Sequence, residues 1–362
     1  MNRTAQLSRI GQSIWLDNVT RDLLTSGTLA HYIADLGVTG LTSNPSIYNK
    51  AIGGSSAYDE PIERLSASGA DGQTTFFELA LDDLGKAADM FLPVYRRTGG
   101  VDGFVSLEVS PLLANDAETT LSEARRLHAR SGRANLFIKI PGTQAGLKAI
   151  EESIFSGVPV NVTLLFSADQ YLAAADAYTI GIERRVEAGL DPYVPSVASV
   201  FVSRWDTGLP ADLPADLHLQ LGLATARKTF EAYRRFNEGD RWQRLMNEGA
   251  RPQRLLWAST GTKDPNASDV YYVEALASPF TVNTMPEETL LAFADHGTVN
   301  VTLVAGRDPE NDRVLARFET AGVDIAALAG RLQEQGVDAF VRAWESLLGL
   351  IDQKAAAIGQ RR

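Results

Sequence analysis

The sequence contains no cysteine. That excludes disulfides, thiolate nucleophiles and zinc–sulfur sites, and it fits a reducing compartment. Histidine is scarce: His31, His128, His218 and His296 are the whole complement, and no two share a short metal-type spacing. His31 and His128 fall in amphipathic helical stretches, where a histidine reads as a surface or internally satisfied group, so a metal enzyme is not expected. Long apolar runs are also missing. None approaches the ~18 residues a membrane-spanning helix requires. The polar start MNRTAQLSRIGQSIWLD lacks the apolar core of a secretory signal. These absences together predict a cytoplasmic protein that does not engage a membrane.

Positive charge is in deficit as well. The 34 Lys and Arg are outnumbered by 45 Asp and Glu, for a net charge of −11. Such a balance argues against a nucleic-acid backbone as partner. It leaves room for a small anionic ligand, because two or three basic side chains suffice for a local positive pocket. No cofactor is expected. No G-x-G-x-x-G follows the first strand, which weakens a dinucleotide-binding reading. Gly142–Lys148 (GTQAGLK) has the wrong spacing for a phosphate loop.

What the chain does contain is alternation. Eight short apolar runs read as strands: Ser13–Asp17, Val38–Ser43, Gly103–Val109, Asn135–Ile140, Val158–Leu164, Val194–Val200, Arg254–Trp257 and Phe280–Val282. Amphipathic helical stretches separate them. Ser167 with Gln170 forms a capping-box pattern, and Gly189 ends the helix it starts. The helix from Thr28 is expected to stop at Leu36, with Gly37 just beyond it. Phe77, Leu81, Leu84, Ala88 and Phe91 share one helical face. Eight strands alternating with helices in 362 residues predict an α/β fold, a (β/α)8 TIM barrel forming a single domain over 1–362. A doubly wound open sheet is the competitor. Two regions exceed the needs of a barrel. One is a helical insertion at about 207–250, with a charged helix around Ala224–Phe236. The other is a C-terminal segment at about 324–358, expected to add two helices. Either could cap the barrel or form a subunit contact, so the chain permits a monomer or a homodimer.

Barrel strands are buried on both faces and should be almost wholly apolar. Six of these runs are not. Asp17, Thr42 with Asn44, Glu108, Lys139, Asn161 with Thr163, and Ser199 with Arg204 stand in or just beyond the C-terminal halves of six different strands. Barrel enzymes build their sites at that end. One polar residue in a strand is readily a structural salt-bridge partner; six at the same end point to one shared pocket. Lys139 stands out, flanked by apolar neighbours in Leu136-Phe-Ile-Lys-Ile140. Burial disfavours an ammonium relative to the neutral amine, and a neutral amine can attack a ketone to form a Schiff base. A structural lysine paired with Glu108 or Asp17 is the alternative, and it is compatible with the first. Two carboxyls in different environments could divide the proton transfers of aldol chemistry.

Four segments carry a specific resemblance. Gly40-Leu-Thr-Ser-Asn-Pro-Ser46, Phe137-Ile-Lys-Ile-Pro-Gly-Thr-Gln-Ala-Gly-Leu147, Asn161-Val-Thr-Leu-Leu-Phe-Ser167 and Ser199-Val-Phe-Val-Ser-Arg204 resemble, in order and spacing, the signatures of the transaldolase family. The match runs from about residue 13 to about residue 285. It implies a circularly permuted barrel of the class I aldolase type with its Schiff-base lysine on the fourth strand. It also implies transfer of a dihydroxyacetone unit from sedoheptulose 7-phosphate to glyceraldehyde 3-phosphate, in the non-oxidative pentose phosphate pathway. Sugar phosphates would then be the partners.

Carried over by position, the resemblance makes Lys139 the nucleophile and Asp17 the proton acceptor during carbon–carbon cleavage. Glu108 would act through a catalytic water held by Thr163. Asn44 and Asn161 would bind the dihydroxyacetone hydroxyls, with Thr42, Ser199 and Phe201 beside them. Arg204 would bind phosphate. The sequence departs from shorter family members after the seventh strand, where they carry A-S-F-R. Here Ala258-Ser-Thr-Gly-Thr-Lys-Asp-Pro265 puts Gly261 at the arginine position, so Lys263 is expected to replace that cation, with Ser259 assisting. This is similar to the longer bacterial transaldolases. A lyase relative, fructose-6-phosphate aldolase, shares the lysine but carries glutamine and tyrosine where this chain has Glu108 and Phe201. A sugar-phosphate-binding protein without turnover is a third, more distant reading.

Overall fold

The computed structural model describes residues 3–210, 213–300, 303 and 306–359. Eight parallel strands close into a barrel in sequence order: β1 (Ser13–Asp17), β2 (Val38–Thr42), β3 (Val105–Glu108), β4 (Leu136–Pro141), β5 (Val160–Leu165), β6 (Ser196–Phe201), β7 (Arg254–Ala258) and β8 (Thr281–Met285). All eight expected runs are strands. The largest differences are at the ends: β8 extends three residues beyond Val282, and β3 starts two residues after Gly103.

The helices begin where the side chains dictate. Ser167 and Gln170 exchange the two hydrogen bonds of a capping box at the start of Ala168–Glu187, and Gly189 follows that helix with φ 66°. Leu36 caps Thr28–Asp35, with Gly37 left-handed behind it. Phe77, Leu84, Ala88 and Phe91 are buried along the helix Gly72–Arg97, and Leu81 is partly buried beside them.

The lower, N-terminal half of the barrel interior is filled by rings. Phe104 and Phe137 stack with centroids 4.2 Å apart, and Trp15 lies 6.1 Å from Phe137. Trp15 donates its indole N–H to Asp102 at 2.7 Å, and its ring takes the space a side chain at Gly40 would need. A Cβ added there would stand 2.5 Å from Trp15 Nε1. With this apolar plug below, the polar side chains collect at the opposite end.

Both regions outside the expected barrel repeat take a different form. The charged stretch becomes the helix Leu221–Glu238, followed by Asp240–Asn247. It packs on the barrel flank, with Tyr171 against Tyr233 and Tyr178 against Trp242, and its far end borders the N-terminal mouth, away from the polar cluster. The C-terminal pair of helices expected over about 324–358 is one continuous helix, Ile325–Gly359. Its glycines do not break it, and at Gly336 a Cβ would lie 2.8 Å from Leu164 Cδ2. Glycine here permits close approach to the barrel. The same helix sets Trp344 against Phe76 at 4.9 Å and donates from Gln333 to the carbonyls of Gly142 and Leu164. It therefore lies across the C-terminal end of the strands. Among the described residues, no helix is long and apolar enough to cross a membrane.

Candidate active site

A cavity of about 300 Å³ opens at the C-terminal end of the barrel. Asp17 on β1, Thr42 on β2, Lys139 on β4, Thr163 on β5, and Ser199 with Phe201 on β6 reach it, joined by Asn44, Arg204, Ser259 and Lys263 from the loops beyond. Ten of the twelve expected site residues thus share one cavity. The larger cavity, about 560 Å³, lies at the opposite mouth among Phe104, Phe137, Tyr193 and Phe280, away from the polar cluster.

Register explains the central pairing. Glu108, Lys139 and Asn161 are successive partners across β3, β4 and β5. Lys139 is 5 % exposed, donates to the carbonyl of Ser43 at 3.1 Å, and holds its Nζ 3.8 Å from Glu108 Oε1. Glu108 lies just under the cavity wall. Burial pushes its carboxyl up to about 7, while Lys139 pulls it down and Asp17 pushes it up further. Asp17 is also raised by burial; Lys139 and a 2.7 Å hydrogen bond donated by Thr42 oppose that rise. Two carboxyls and one amine therefore share a small volume at the cavity floor.

Both Glu108 oxygens and Thr163 Oγ1 are buried without a hydrogen-bond partner among the described residues. Native proteins rarely leave such atoms unpaired, and a bridging water is their common partner. Thr163 sits where β5 departs from regular pairing: the register with β6 shifts between Val162 and Leu165, and Leu164 has φ 59°. Thr163 faces the cavity two residues after the inward Asn161, as strand alternation requires, and the irregularity beyond it leaves the Leu164 carbonyl for Gln333.

The asparagines take different places. Asn44 lines the cavity but spends its side-chain oxygen on the N–H of Ile47, capping the helix Pro45–Gly54. Its amide nitrogen is the half left for a ligand. Asn161, expected to touch substrate, does not line the cavity. It is fully buried below it, accepting from Ser199 at 2.7 Å and donating to Ser106 at 3.1 Å. Its amide oxygen holds Ser199 and its amide nitrogen holds Ser106.

Opposite Lys139, Arg204 and Lys263 bring two cations to the cavity rim. Arg204 rises from the short helix Ser203–Thr207, just beyond β6. Its guanidinium lies 5.4 Å from the Phe201 ring centroid. Burial lowers Lys263, and the Arg204 charge lowers it further. Neither makes a carboxylate salt bridge among the described residues, so an anion between them would relieve mutual repulsion. Ser259, with φ 55°, brings its hydroxyl within 2.9 Å of Ser203 Oγ at the same rim.

Three residues escaped the sequence reading. Phe340 comes from the C-terminal helix, its ring centroid 5.8 Å from Lys139 Nζ. In sequence it is one more apolar residue of an amphipathic helix. Ser106 had no distinguishing signal. Thr284 lies 2.7 Å from Thr42 Oγ1, and the expected eighth strand ended before it; an alternating polar residue past Val282 was the available clue.

The sequence model of the family described as Transaldolase/Fructose-6-phosphate aldolase matches residues 14–351. A transaldolase of Frankia alni is 44% identical over 366 residues, covering 99% of this chain and 99% of the relative. Transaldolases of Thermobifida fusca and Mycolicibacterium paratuberculosis are 44% and 45% identical, covering 97% and 95% of this chain and 98% and 95% of theirs. The lysine strand, the carboxyl pair around it and the full-length likeness converge: this chain belongs to the transaldolase/fructose-6-phosphate aldolase family.

Proposed function

We propose that this chain is a transaldolase in which Lys139 carries a dihydroxyacetone unit as a Schiff base between sugar phosphates. The observation that carries the reading is a buried lysine amine, 3.8 Å from Glu108, with Asp17 interacting with both at the C-terminal barrel end.

The chemistry follows from those groups. The Lys139 amine attacks the donor ketone. Glu108, able to hold a proton near neutral pH, gives it through a water beside Thr163, so that the carbinolamine hydroxyl leaves as water. The Asp17 carboxylate then removes the proton from the hydroxyl on the far carbon of the scissile bond. That oxygen forms the new carbonyl, the carbon–carbon bond breaks, and its electron pair flows into the protonated imine to give an enamine. An acceptor aldehyde, glyceraldehyde 3-phosphate, reverses these steps, and Asp17 returns its proton to the new hydroxyl. Hydrolysis frees Lys139. Asn44, Ser199 and Phe201 frame the three-carbon unit, while Asn161 holds Ser199. Arg204, Lys263 and the Ser259 hydroxyl receive the phosphate. Sedoheptulose 7-phosphate is the donor, and the cytoplasm, where these sugar phosphates occur, is the expected compartment.

The lyase reading, release of free dihydroxyacetone, is disfavoured by Glu108 and Phe201, where that relative carries glutamine and tyrosine. Borohydride reduction with fructose 6-phosphate, followed by peptide mapping, tests the nucleophile: label is expected on Lys139, and label elsewhere sinks the mechanism. Product release measured with and without erythrose 4-phosphate separates transferase from lyase.

A further inference from the structure

Thr42 Oγ1 stands 2.7 Å from Asp17 Oδ1 and 2.7 Å from Thr284 Oγ1. A hydroxyl has one proton to give and two lone pairs. An ionised carboxylate can only accept, so Thr42 gives its proton to Asp17. The second contact is then a hydrogen bond only if Thr284 is the donor. The order of the chain is thereby fixed while Asp17 is charged: Thr284 to Thr42 to Asp17. Serial hydrogen bonds polarise one another, so the outer hydroxyl strengthens the bond that reaches the carboxylate.

We propose that Thr284 is a positioning residue for carbon–carbon cleavage, orienting the Thr42 proton toward Asp17 and allowing the relay to reverse when Asp17 takes the substrate proton. This rests on the reading of Asp17 as the acceptor of that proton. When the proton rests on Oδ1, Asp17 donates to Thr42 and Thr42 donates to Thr284; when it rests on Oδ2, the order Thr284 to Thr42 to Asp17 is kept. Both protonation states are satisfied without moving a heavy atom, and the freed Thr284 hydrogen turns toward the cavity that Thr284 lines.

The framework holds the relay still. Asp17 and Thr42 are register partners on β1 and β2, and Thr284 pairs with Trp15 on the other side of β1. The backbone carbonyl of Thr284 accepts from Thr260 Oγ1 at 3.1 Å, and the same hydroxyl binds Asn283 Oδ1 at 2.9 Å. Thr260 is fully buried and Thr284 is 4 % exposed. Lys139 and Glu108 face Asp17 from β4 and β3, and Arg204, Lys263 and Glu288 line the same cavity. None of these substitutes for a donor to Thr42.

The test compares Thr284→Val, which keeps shape and loses the hydroxyl, with Thr284→Ser, which keeps the hydroxyl. Removing the outer donor weakens stabilisation of the carboxylate, so Asp17 protonates at higher pH. In Thr284→Val, single-turnover cleavage is expected to slow about three- to tenfold, with its acid limb displaced upward by about half to one pH unit. Thr284→Ser should restore both to within about twofold. Borohydride trapping at Lys139, which depends on Glu108, should be unchanged in either variant. An unmoved acid limb in Thr284→Val, equal impairment in Thr284→Ser, or a parallel fall of trapping and cleavage would each overturn the proposal. If Thr284→Val does not fold, Thr284→Ala makes the same comparison. Failure of trapping in the unsubstituted protein would remove the transaldolase reading itself, and this proposal with it.

Discussion

Glu108 and Lys139 are register partners on neighbouring strands, yet their charged ends stand 3.8 Å apart, beyond hydrogen-bond reach. Neither Glu108 oxygen has another partner among the described residues. A structural ion pair would close that gap and satisfy those lone pairs. An open, half-satisfied pair leaves room for a water and for a proton that can move between them.

This geometry makes Glu108→Gln informative. Turnover should fall by about 100-fold or more, since proton transfer by a placed carboxyl contributes roughly that much. Stability should move the other way with pH. The folded carboxyl titrates near 7 against 4.5 in its ordinary state. The folded protein therefore holds this proton more tightly, and the parent loses stability as pH rises from 4.5 through 7. Across that window, denaturant unfolding should show Glu108→Gln gaining about 1–3 kcal/mol relative to the parent. A pH-independent difference would show that burial does not set the Glu108 pKa.

Arg204 and Lys263 should act on the phosphate and not on the chemistry. Arg204→Ala is expected to raise KM for phosphorylated donors by about 10- to 100-fold, the worth of a charge-assisted hydrogen bond. Lys263→Ala, removing the more exposed cation, should have the smaller effect. Borohydride trapping of Lys139 with dihydroxyacetone, which involves no phosphorylated donor or acceptor, checks this, because it should be nearly indifferent to both changes.

Phe340 lies over Lys139 from outside the barrel. Phe340→Leu keeps an apolar side chain and removes the ring, opening the imine to water. Free dihydroxyacetone released without an acceptor should rise by about two- to tenfold, while trapping at Lys139 persists. Unchanged partition between transfer and release would show that the C-terminal helix plays no part in shielding the enamine.

Gly40→Ala should be a folding defect. The new methyl would meet the Trp15 indole at 2.5 Å and disturb its bond to Asp102. Overpacking of this kind costs about 1–3 kcal/mol, read as a lower denaturation midpoint. Near-parental stability would mean that the Trp15 ring can turn aside without loss.

The catalytic end was legible because barrel strands bury both faces: a charge or amide in such a strand stands out. Asp17, Glu108, Lys139 and Thr163 declared themselves in that way. Thr284 did not, because the apolar run marking β8 faded before the strand ended. Phe340 obeyed the helical apolar period, so it looked like core, and core residues and cavity walls have the same composition. Asn161 stands out in its strand in the same way, but the residues around its amide are not legible there. Only side-chain geometry shows its amide committed to Ser106 and Ser199.

Local pattern alone was enough for the number and order of the strands, most helix ends and the lysine strand, because periodicity, caps and apolar runs act over a few residues. Which end of each hydrogen bond meets which partner, the 3.8 Å separation of Glu108 and Lys139, and the single long helix across the mouth depend on contacts between segments far apart in the chain. Gly336 meets Leu164, Gln333 reaches Gly142, and Thr284 meets Thr42 only after the barrel has closed. Closure brings β8 beside β1, and that juxtaposition completes the site.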